Sequence, residues 1–295
     1  MSHAWAIIAK HIAETTGQPF QVESERAMGG GCINEAYLVA GAGQQYFVKL
    51  NSADAREMFE AEAEGLRELA ASRAIRVPAP ICGGVAGAQA YLVLEYVALG
   101  SGGKDGQQRL GEQLAALHRV QGKRFGWYRN NTIGATPQPN EYADDWCRFW
   151  QEHRIGFQLQ RLAERGFGGR IQQRGERLLQ AIPALLQGHR PTPSLLHGDL
   201  WSGNYAFDAH GAPVIFDPAV YYGDRETDLA MTELFGGFSP AFYQAYAAAF
   251  PFAEGYERRK VLYNLYHILN HANLFGGGYL GQAESMIDRL LASRH

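Results

Sequence analysis

Cysteine, lysine and long apolar runs are all scarce in this chain of 295 residues. Its three cysteines are widely spaced and form no CxxC pair, which excludes a disulfide scaffold and a cysteine zinc site and fits a reducing cytoplasm. No apolar run approaches the ~20 residues that a membrane-spanning helix needs. The first residues have neither a basic nor a long apolar segment, so we expect no signal peptide and a cytoplasmic location.

Charge of one sign is not in excess either, since the formal net charge is −3 at pH 7. Proteins that hold nucleic acid or a membrane surface through their overall field are usually basic, so we expect neither as a partner. Hydrophobic residues make up 46% of the chain and charged residues 19%, which is enough apolar material for a buried core. The composition therefore indicates a globular enzyme, and we expect a monomer or a homodimer.

The spacing of apolar residues predicts an α+β protein that begins with a small lobe. Two strand-like runs, 35–40 and 45–50, are separated by a glycine turn and form a predicted hairpin. Residues 54–72 have helical spacing, and 90–97 form an apolar strand. We expect residues 1–97 to be an N-terminal lobe with an antiparallel sheet and one main helix.

Most of the chain beyond a glycine-rich stretch at 100–103 has helical spacing. The stretch itself is predicted as a hinge. One interruption, between residues 195 and 217, carries two short apolar runs around a turn and is predicted as a hairpin inside the helical part. We therefore expect residues 98–295 to form a larger, mainly helical C-terminal lobe.

The densest group of reactive side chains lies in that hairpin region. Asp199 and Asn204 are five residues apart, and Asp217 follows a short apolar strand thirteen residues later. Phosphoryl transfer from ATP needs one carboxylate beside the attacking hydroxyl, and an amide oxygen with a second carboxylate to hold Mg²⁺ against the phosphates. The spacing matches the kinase arrangement, so we predict Asp199 as the catalytic residue and Asn204 and Asp217 as magnesium ligands.

Such chemistry also requires a cation for the ATP phosphates. Lys49 is one of only five lysines and stands in an apolar strand, where a charge is costly unless it is paired. Glu62 shares a helical stripe with apolar residues and is the predicted partner, with Glu60 and Glu64 as alternatives. The competing interpretation places Lys49 on an edge strand with its ammonium group in water.

Three glycines, Gly29, Gly30 and Gly31, precede the Lys49 strand by one hairpin. Glycine lets backbone N–H groups approach phosphate oxygens, so this loop is predicted to bind ATP, although it is not the GxGxxG of protein kinases. Cys32 follows within the loop. It is either a small buried filler or an exposed thiol whose reversible oxidation would block the loop.

The apolar strand that ends near Glu95 is followed by glycines and is predicted to hold the adenine ring. Backbone groups at Glu95 and Val97 are the expected contacts to the edge of the base. An ordinary core strand explains the apolar residues equally well. The position of the segment along the chain is therefore what favours the adenine interpretation.

Three motifs resemble the fructosamine/ketosamine 3-kinase family. Residues 197–204 read HGDLWSGN, residues 216–219 read FDPA, and residues 222–231 read YGDRETDLAM. The HGD-x4-N core is shared with aminoglycoside phosphotransferases and choline kinases. The Trp-Ser-Gly insert, DPA in place of DFG and the GDRE-x-DLAM run are more specific to the fructosamine/ketosamine 3-kinase family. Further stretches that resemble this family extend from about residue 20 to the last helix.

The resemblance implies a protein-kinase-like bilobal fold and ATP-dependent phosphorylation of the C3 hydroxyl of a ketoamine, with Mg²⁺ as cofactor. The substrates would be small-molecule ketoamines or glycated proteins, and release of the amine would reverse glycation. Bacterial members suit ribulosamines and erythrulosamines more than the hexose adduct. The family's catalytic Asp, metal ligands and ATP lysine fall on Asp199, Asn204, Asp217 and Lys49.

A polar, partly acidic cleft for a cationic ketoamine is also predicted. Its lining residues are Trp201, Tyr221, Asp224, Glu226 and His271. Trp201 has the alternative role of a structural ring packed under the catalytic loop. His197 is expected to brace that loop rather than to move protons, and Asp228 is expected to be a capping or loop-bracing carboxylate.

Two other functions stay open from the sequence. One is a kinase of the same fold that acts on an aminoglycoside, choline or another sugar. The other is a non-catalytic, redox-responsive nucleotide-binding protein in which Cys32 controls assembly. The complete set of lysine, two aspartates and asparagine argues against the second, because a degenerate kinase usually loses at least one of them.

Overall fold

The computed structural model describes residues 3–29 and 33–292, which form two compact units. The first unit contains the described residues up to Gly106 together with Ala206–Asp217. The second contains Gln107–Tyr205 and the described residues from Pro218 onward. Within these described ranges no helix is both long enough and apolar enough to cross a membrane.

A five-stranded antiparallel sheet with the order β1-β2-β3-β5-β4 is the centre of the first unit. Its strands are β1 (Ser24–Met28), β2 (Glu35–Gly41), β3 (Gln44–Ser52), β4 (Pro80–Ala86) and β5 (Gln89–Glu95). The turn between β2 and β3 has positive φ at both Ala42 and Gly43, as a two-residue hairpin requires. The predicted hairpin is confirmed.

Two helices pack on this sheet, α1 (His3–Thr16) and α2 (Arg56–Ala71). Trp5, Ile8 and Ile12 are spaced by three and four residues, so they share the face of α1 that enters the hydrophobic core. Helix α2 follows a single 3-10 turn and is the main helix that the sequence predicted.

A second, three-stranded sheet completes the first unit. Strand β10 (Tyr205–Asp208) pairs with β6 (Leu99–Gly100) and with β11 (Pro213–Ile215). At Gly102, within the predicted hinge, a Cβ would lie 2.7 Å from the ring of Phe207, so this close approach requires glycine.

The observed units differ from the predicted lobes, 1–97 and 98–295, in two respects. The first unit continues to Gly106, because β6 is a sheet strand where the sequence predicted a hinge. The hairpin of β10 and β11 also belongs to the first unit and not to the helical part. A two-residue strand that pairs with residues more than 100 positions away leaves no periodic signal in the sequence.

The second unit is mainly helical. Its helices are α3 (Gly106–His118), α4 (Trp146–Trp150), α5 (Phe157–Glu164), α6 (Arg170–Leu185), α7 (Glu226–Leu234), α8 (Pro240–Ala249), α9 (Tyr256–Phe275) and α10 (Gly278–Ala292). Helix α9 is buried along most of its length and contacts α5, α7 and α10. It is the element around which this unit is packed.

Short strand pairs and one irregular turn interrupt these helices. Strand β7 (Asn131–Ile133) pairs with β8 (Thr136–Gln138), and β9 (Ser194–Leu196) pairs with β12 (Tyr221–Gly223). A π-helical turn, Gln151–Gly156, joins α4 to α5. Such turns are rare and often occur near functional sites.

Candidate active site

A buried ion pair joins strand β3 to helix α2 in the first unit. The Nζ of Lys49 lies 2.6 Å from Oε1 of Glu62, and both side chains are almost inaccessible to solvent. Strand β3 lies between β2 and β5, so the edge-strand interpretation of Lys49 is wrong. Of the alternative partners, Glu60 instead pairs with Arg56 on the exposed side of α2. The predicted pair of Lys49 and Glu62 is present.

Asp217 belongs to the same charge group in the first unit. Its Oδ1 lies 2.5 Å from Nζ of Lys49, and its side chain is half-exposed. Asp217 has a φ of 57°, a left-handed conformation that is uncommon outside glycine and recurs at functional sites. Burial disfavours the charged form of Lys49, but attraction to Asp217 and Glu62 outweighs it and raises the pKa of Lys49 above its usual value.

In the second unit, residues 199–204 form a tight turn. The Nδ2 of Asn204 donates to the backbone oxygen of Asp199 at 2.8 Å and to its Oδ2 at 3.3 Å. The backbone N–H of Asn204 donates to the carbonyl of Trp201 at 2.9 Å. The amide nitrogen is therefore held beside Asp199, while Oδ1 of Asn204 accepts no hydrogen bond from any described residue.

Asp228 holds the start of the 199–204 turn. Its Oδ2 accepts from the N–H of His197 at 2.7 Å, and its Oδ1 accepts from the N–H of Gly198 at 2.8 Å. His118 lies 3.1 Å from the same carboxylate. Burial disfavours the charged carboxyl, but hydrogen bonds from His118 and Gly198 hold the pKa of Asp228 below its usual value. The predicted bracing role of Asp228 is confirmed by these contacts.

Ala219 packs against the start of the same turn. Its N–H donates to the carbonyl of His197 at 2.8 Å. Gly198 has a φ of 84°, and a Cβ there would lie 2.0 Å from the oxygen of Ala219, so only glycine fits. His197 accepts from the N–H of Asp199 on its Nδ1 at 3.2 Å, which agrees with its predicted bracing role.

A network of buried amides, to which the sequence analysis assigned no role, holds Ala219 and Val220. Gln138 donates from Nε2 to the carbonyl of Ala219 at 3.0 Å, and Asn131 donates from Nδ2 to the carbonyl of Val220 at 2.8 Å. Asn140 donates to Oδ1 of Asn131 at 2.8 Å. The available sequence signal was three amide side chains within ten residues on either side of a glycine turn.

A buried arginine on the π-helical turn supports the amide network. Arg154 donates to Oδ1 of Asn140 at 2.8 Å and to the carbonyl of Pro139 at 2.6 Å. Its guanidinium carbon lies 4.1 Å from the ring centre of Tyr221 and 4.6 Å from that of Phe149. Aromatic faces and neutral oxygens therefore stabilise this buried positive charge.

The predicted phosphate loop falls only partly within the described structure. Its residues outside the described ranges are Gly30, Gly31 and Cys32. A Cβ at Gly29 would meet no atom of the described residues within 4 Å. The Nδ2 of Asn51, a residue that the sequence analysis did not assign, donates to Oδ1 of Asn34 at 2.7 Å and so holds the end of the loop.

The segment predicted to contact adenine leaves the main sheet after Glu95. The N–H of Glu95 donates to the carbonyl of Ala79 at 2.8 Å, and its carboxylate accepts from Arg76 at 2.6 Å. Arg76, which the sequence did not point to, also donates to Asp208 of β10 at 2.6 Å. The N–H of Val97 has no hydrogen bond within the described residues.

Two acidic residues predicted to line a cleft are instead buried in the second unit. The Oδ2 of Asp224 accepts from the hydroxyl of Tyr263 at 2.6 Å and lies 2.6 Å from Nε2 of His189. Glu226 accepts two hydrogen bonds from Arg259, at 2.6 and 2.8 Å. Their burial and these partners do not fit the prediction of an open acidic cleft.

Tyr221 does not fit that cleft either. It is buried, its ring lies under the guanidinium of Arg154, and its hydroxyl approaches that of Thr227 at 3.4 Å. The physical reason is its place in β12, which is paired with β9 inside the unit. Tyr221 is thus part of the support for Arg154.

Trp201 and His271 remain accessible. Trp201 is exposed, and a Cβ on Gly203 would lie 2.3 Å from its ring, so the ring packs closely against the 199–204 turn. His271 is half-buried on α9, with Nδ1 at 2.7 Å from the carbonyl of His267. Burial lowers the pKa of His271 below its usual value, so its ring is neutral at pH 7.

Each of the two predicted magnesium ligands presents an oxygen within its own unit. The carboxamide oxygen of Asn204 accepts no hydrogen bond from the described residues, and the carboxylate of Asp217 is half-exposed. Oxygen ligands of these two kinds are the ones that Mg²⁺ prefers in proteins.

Comparison with known sequences leads to one family. The family model described as fructosamine kinase matches residues 4–293. A probable ketoamine kinase of Synechocystis sp. is 53% identical over 288 residues, which cover 97% of each chain. The chloroplastic protein-ribulosamine 3-kinase of Oryza sativa subsp. japonica is 41% identical over 280 residues, which cover 94% of this chain and 81% of the relative.

Solved structures share the fold. A crystal structure from Haemophilus somnus 129PT, named as a candidate fructosamine-3-kinase, has a TM-score of 0.91 and 32% identity and covers 98% of both chains. An aminoglycoside phosphotransferase in a complex with ADP and hygromycin B has a TM-score of 0.63 at 17% identity, over 97% of this chain and 98% of that one, and shares the fold alone. The predicted α+β, protein-kinase-like fold is confirmed. Because the family model spans almost the whole chain and both sequence relatives exceed 40% identity, this chain belongs to the fructosamine kinase family and is a kinase.

Proposed function

We propose that this chain is an ATP-dependent kinase that phosphorylates the C3 hydroxyl of ketoamines. The observation that carries the proposal is the 199–204 turn, where Asn204 is anchored through its nitrogen beside Asp199 and keeps its amide oxygen free. Lys49, Glu62 and Asp217 supply the other groups that phosphoryl transfer requires. The names of the sequence relatives, ketoamine kinase and ribulosamine 3-kinase, support ketoamines as the substrate class.

Asp199 is the proposed catalytic residue. Its carboxylate orients the C3 hydroxyl and accepts the proton as that oxygen attacks the γ-phosphorus of ATP. A new bond forms between the C3 oxygen and phosphorus. The bond that breaks joins the γ-phosphorus to the bridging oxygen, and ADP leaves with the electron pair.

The remaining site residues bind and orient ATP in this proposal. Lys49, fixed by Glu62, contacts the phosphates together with the backbone of Gly29, Gly30 and Gly31. Backbone groups of Glu95 and Val97 contact the adenine ring.

Magnesium is the proposed metal, with Asn204 and Asp217 as its protein ligands. When bound, the ion neutralises the charge of the phosphates. Cys32 belongs by sequence to the predicted phosphate loop, and its reversible oxidation is a separate hypothesis. Activity that falls with peroxide, returns with a thiol reductant and becomes insensitive in Cys32→Ser would support it.

Phosphorylation at C3 prepares the release of the amine. Enolisation of the C2 ketone towards C1 lets the C3 substituent leave as inorganic phosphate. Water then hydrolyses the resulting C1 imine, which releases the free amine and a 3-deoxy dicarbonyl sugar. The role would therefore be deglycation in the cytoplasm, with ribulosamines and erythrulosamines preferred over fructosamines. Both small-molecule ketoamines and glycated proteins present the required group.

A substrate panel tests the proposal. The ribulosyl, erythrulosyl and fructosyl adducts of one amine are compared with an aminoglycoside and with choline, and ADP release is measured. We expect turnover of the ketoamines, fastest for the two shorter sugars. ADP release with choline or the aminoglycoside alone would overturn the substrate class, and ATP binding without ADP release from any acceptor would overturn the kinase assignment.

A further inference from the structure

A row of aromatic side chains crosses the second unit from the 199–204 turn. We call Trp201, Phe235, His271, Phe275 and Tyr279 the aromatic row. Ring centres are 6.4 Å apart from Trp201 to Phe235 and 5.2 Å apart from Phe235 to His271. His271 in turn lies 5.6 Å from Phe275 and 5.1 Å from Tyr279. The five rings therefore form one continuous group.

The aromatic row is unusually open to solvent. Among the described residues, seven large hydrophobic side chains are exposed, and three of them belong to the row. Their exposed fractions are 38% for Trp201, 41% for Phe235 and 57% for Phe275. A contiguous group of exposed aromatic rings is typical of a binding surface, whereas single exposed apolar residues are ordinary.

One end of the aromatic row is tied to the proposed catalytic residue. The N–H of Trp201 donates to the carbonyl of Asp199 at 3.2 Å. The backbone beyond Phe235 is held against the turn as well, since the hydroxyl of Tyr205 donates to the carbonyl of Gly237 at 2.8 Å. The row thus begins where the sugar would react and extends away from it.

The structure of a ketoamine places its amine close to the reacting hydroxyl. Only two carbons separate the reacting C3 hydroxyl from C1, which bears the amine, so the group that carries the amine must leave the site close to the turn. The secondary amine of a ketoamine is protonated at neutral pH, and aromatic faces attract such a cation. His271 is neutral there because burial lowers its pKa, so it adds no opposing charge.

We propose that the aromatic row binds the amine-bearing carrier of the substrate and selects glycated peptide segments with apolar residues beside the modified lysine. The occupant is thus a stretch of polypeptide and not a free small amine. This inference rests on the proposed function, because it takes Asp199 as the residue that receives the sugar. The exposed rings supply the apolar contact area that a flanking leucine or phenylalanine can cover.

Three substrates with the same ribulosyl group test the inference. They are ribulosyl-ethylamine, a peptide with ribulosyl-lysine between leucines, and the same peptide with serine and glycine in place of the leucines. ADP release gives kcat and KM for the wild type, Phe275→Ala and Phe235→Ala. The matched control is Tyr142→Ala, because Tyr142 is also 46% exposed in the second unit but lies outside the row.

We expect the wild type to favour the leucine peptide over the serine–glycine peptide by about tenfold in kcat/KM, which corresponds to a typical aromatic contact. Phe275→Ala and Phe235→Ala should remove most of that preference through KM, whereas Tyr142→Ala should retain it. The inference would be overturned if the wild type showed no such preference, or if the row variants lowered kcat/KM equally for all three substrates. Either result would leave the kinase activity established. No ADP release from any of the three would overturn both proposals.

Discussion

Two buried charged side chains of the candidate site, Lys49 and Asp228, each have more than one partner. Lys49 contacts both Glu62 and Asp217, and the carboxylate of Asp228 accepts from two successive backbone N–H groups. Removing one partner leaves the rest buried and uncompensated, which costs more than breaking a pair in water. Substitutions at these residues should therefore produce measurable losses of stability.

Asp228→Asn should lower the free energy of unfolding by about 1–3 kcal/mol at pH 7, since one of the two N–H groups then loses its acceptor. The pKa of Asp228 is lowered in the folded protein, so its contribution is complete above the pKa of an unfolded aspartate and is lost as pH falls through the folded pKa. The difference between wild type and variant should shrink between about pH 5 and pH 2. Urea unfolding at stepped pH measures it, and a difference independent of pH would contradict the assignment.

Asp199→Asn should reduce kcat by about 10²–10⁴-fold, because the amide cannot accept the proton of the hydroxyl. ATP binding should persist, since the proposed phosphate contacts come from Lys49 and the glycine loop. Single-turnover kinetics and an ATP titration separate the two effects. Asp144→Asn is the control, as Asp144 is an exposed carboxylate of the same unit. Near-normal turnover of Asp199→Asn would refute its catalytic role.

At the scale of elements, local sequence patterns predicted the helices and hairpins that form between residues close together in the chain. The β2–β3 hairpin followed from two strand-like runs around a glycine turn, and α2 followed from its apolar stripe. The pairing of Lys49 with Glu62 followed because a strand and the next helix are close in sequence. These predictions needed no knowledge of distant contacts.

The predictions that failed depended on partners far along the chain. Asp224 and Glu226 were predicted to line an acidic cleft, yet the side chains that hold them in the interior, Tyr263 and Arg259, come from α9, more than 30 residues later. The same holds for β6, which becomes a strand only through its pairing with β10. A single sequence does not reveal which charged residue a later helix will cover.

The β7–β8 hairpin is the element whose role was least foreseeable. Gln138→Ala removes its hydrogen bond to Ala219, which in turn contacts His197 at the start of the 199–204 turn. We expect kcat to fall about tenfold with little change in the KM for ATP, because 1.4 kcal/mol of lost positioning corresponds to that factor. Gln160→Ala, at an exposed glutamine of α5, should have no effect.

Thermal unfolding of the Gln138→Ala variant shows whether it is folded at the assay temperature. Gln138→Glu offers a second comparison, since it keeps the length of the side chain but lacks the amide donor. If either variant changes only the melting temperature and leaves kcat intact, the hairpin stabilises the unit without positioning the turn.

At the scale of the whole molecule, the chain passes between its two units three times, after Gly106, Tyr205 and Asp217. The proposed magnesium ligands stand beside two of these crossings: Asn204 precedes Tyr205, and Asp217 is itself the last residue before a crossing. A ligand that engages both residues would bind only the folded chain and would stabilise it by mass action.

A non-hydrolysable ATP analogue with Mg²⁺ should therefore raise the melting temperature more than the analogue with EDTA. At 100 times its dissociation constant, such a ligand adds about 2.7 kcal/mol. Asn204→Ala should lose the magnesium-dependent part of the increase and keep the nucleotide-dependent part. An Asn204→Ala variant with the full magnesium effect would exclude Asn204 as a ligand.

The discontinuity of the first unit also limits how this protein can be divided. A fragment that stops at Gly106 would retain β6 without β10 and leave Arg76 without the carboxylate of Asp208. Its bare strand edge would invite aggregation, and no single stretch of the gene encodes the unit. Exchanging this unit between relatives would therefore require two separate segments of the chain to be transferred together.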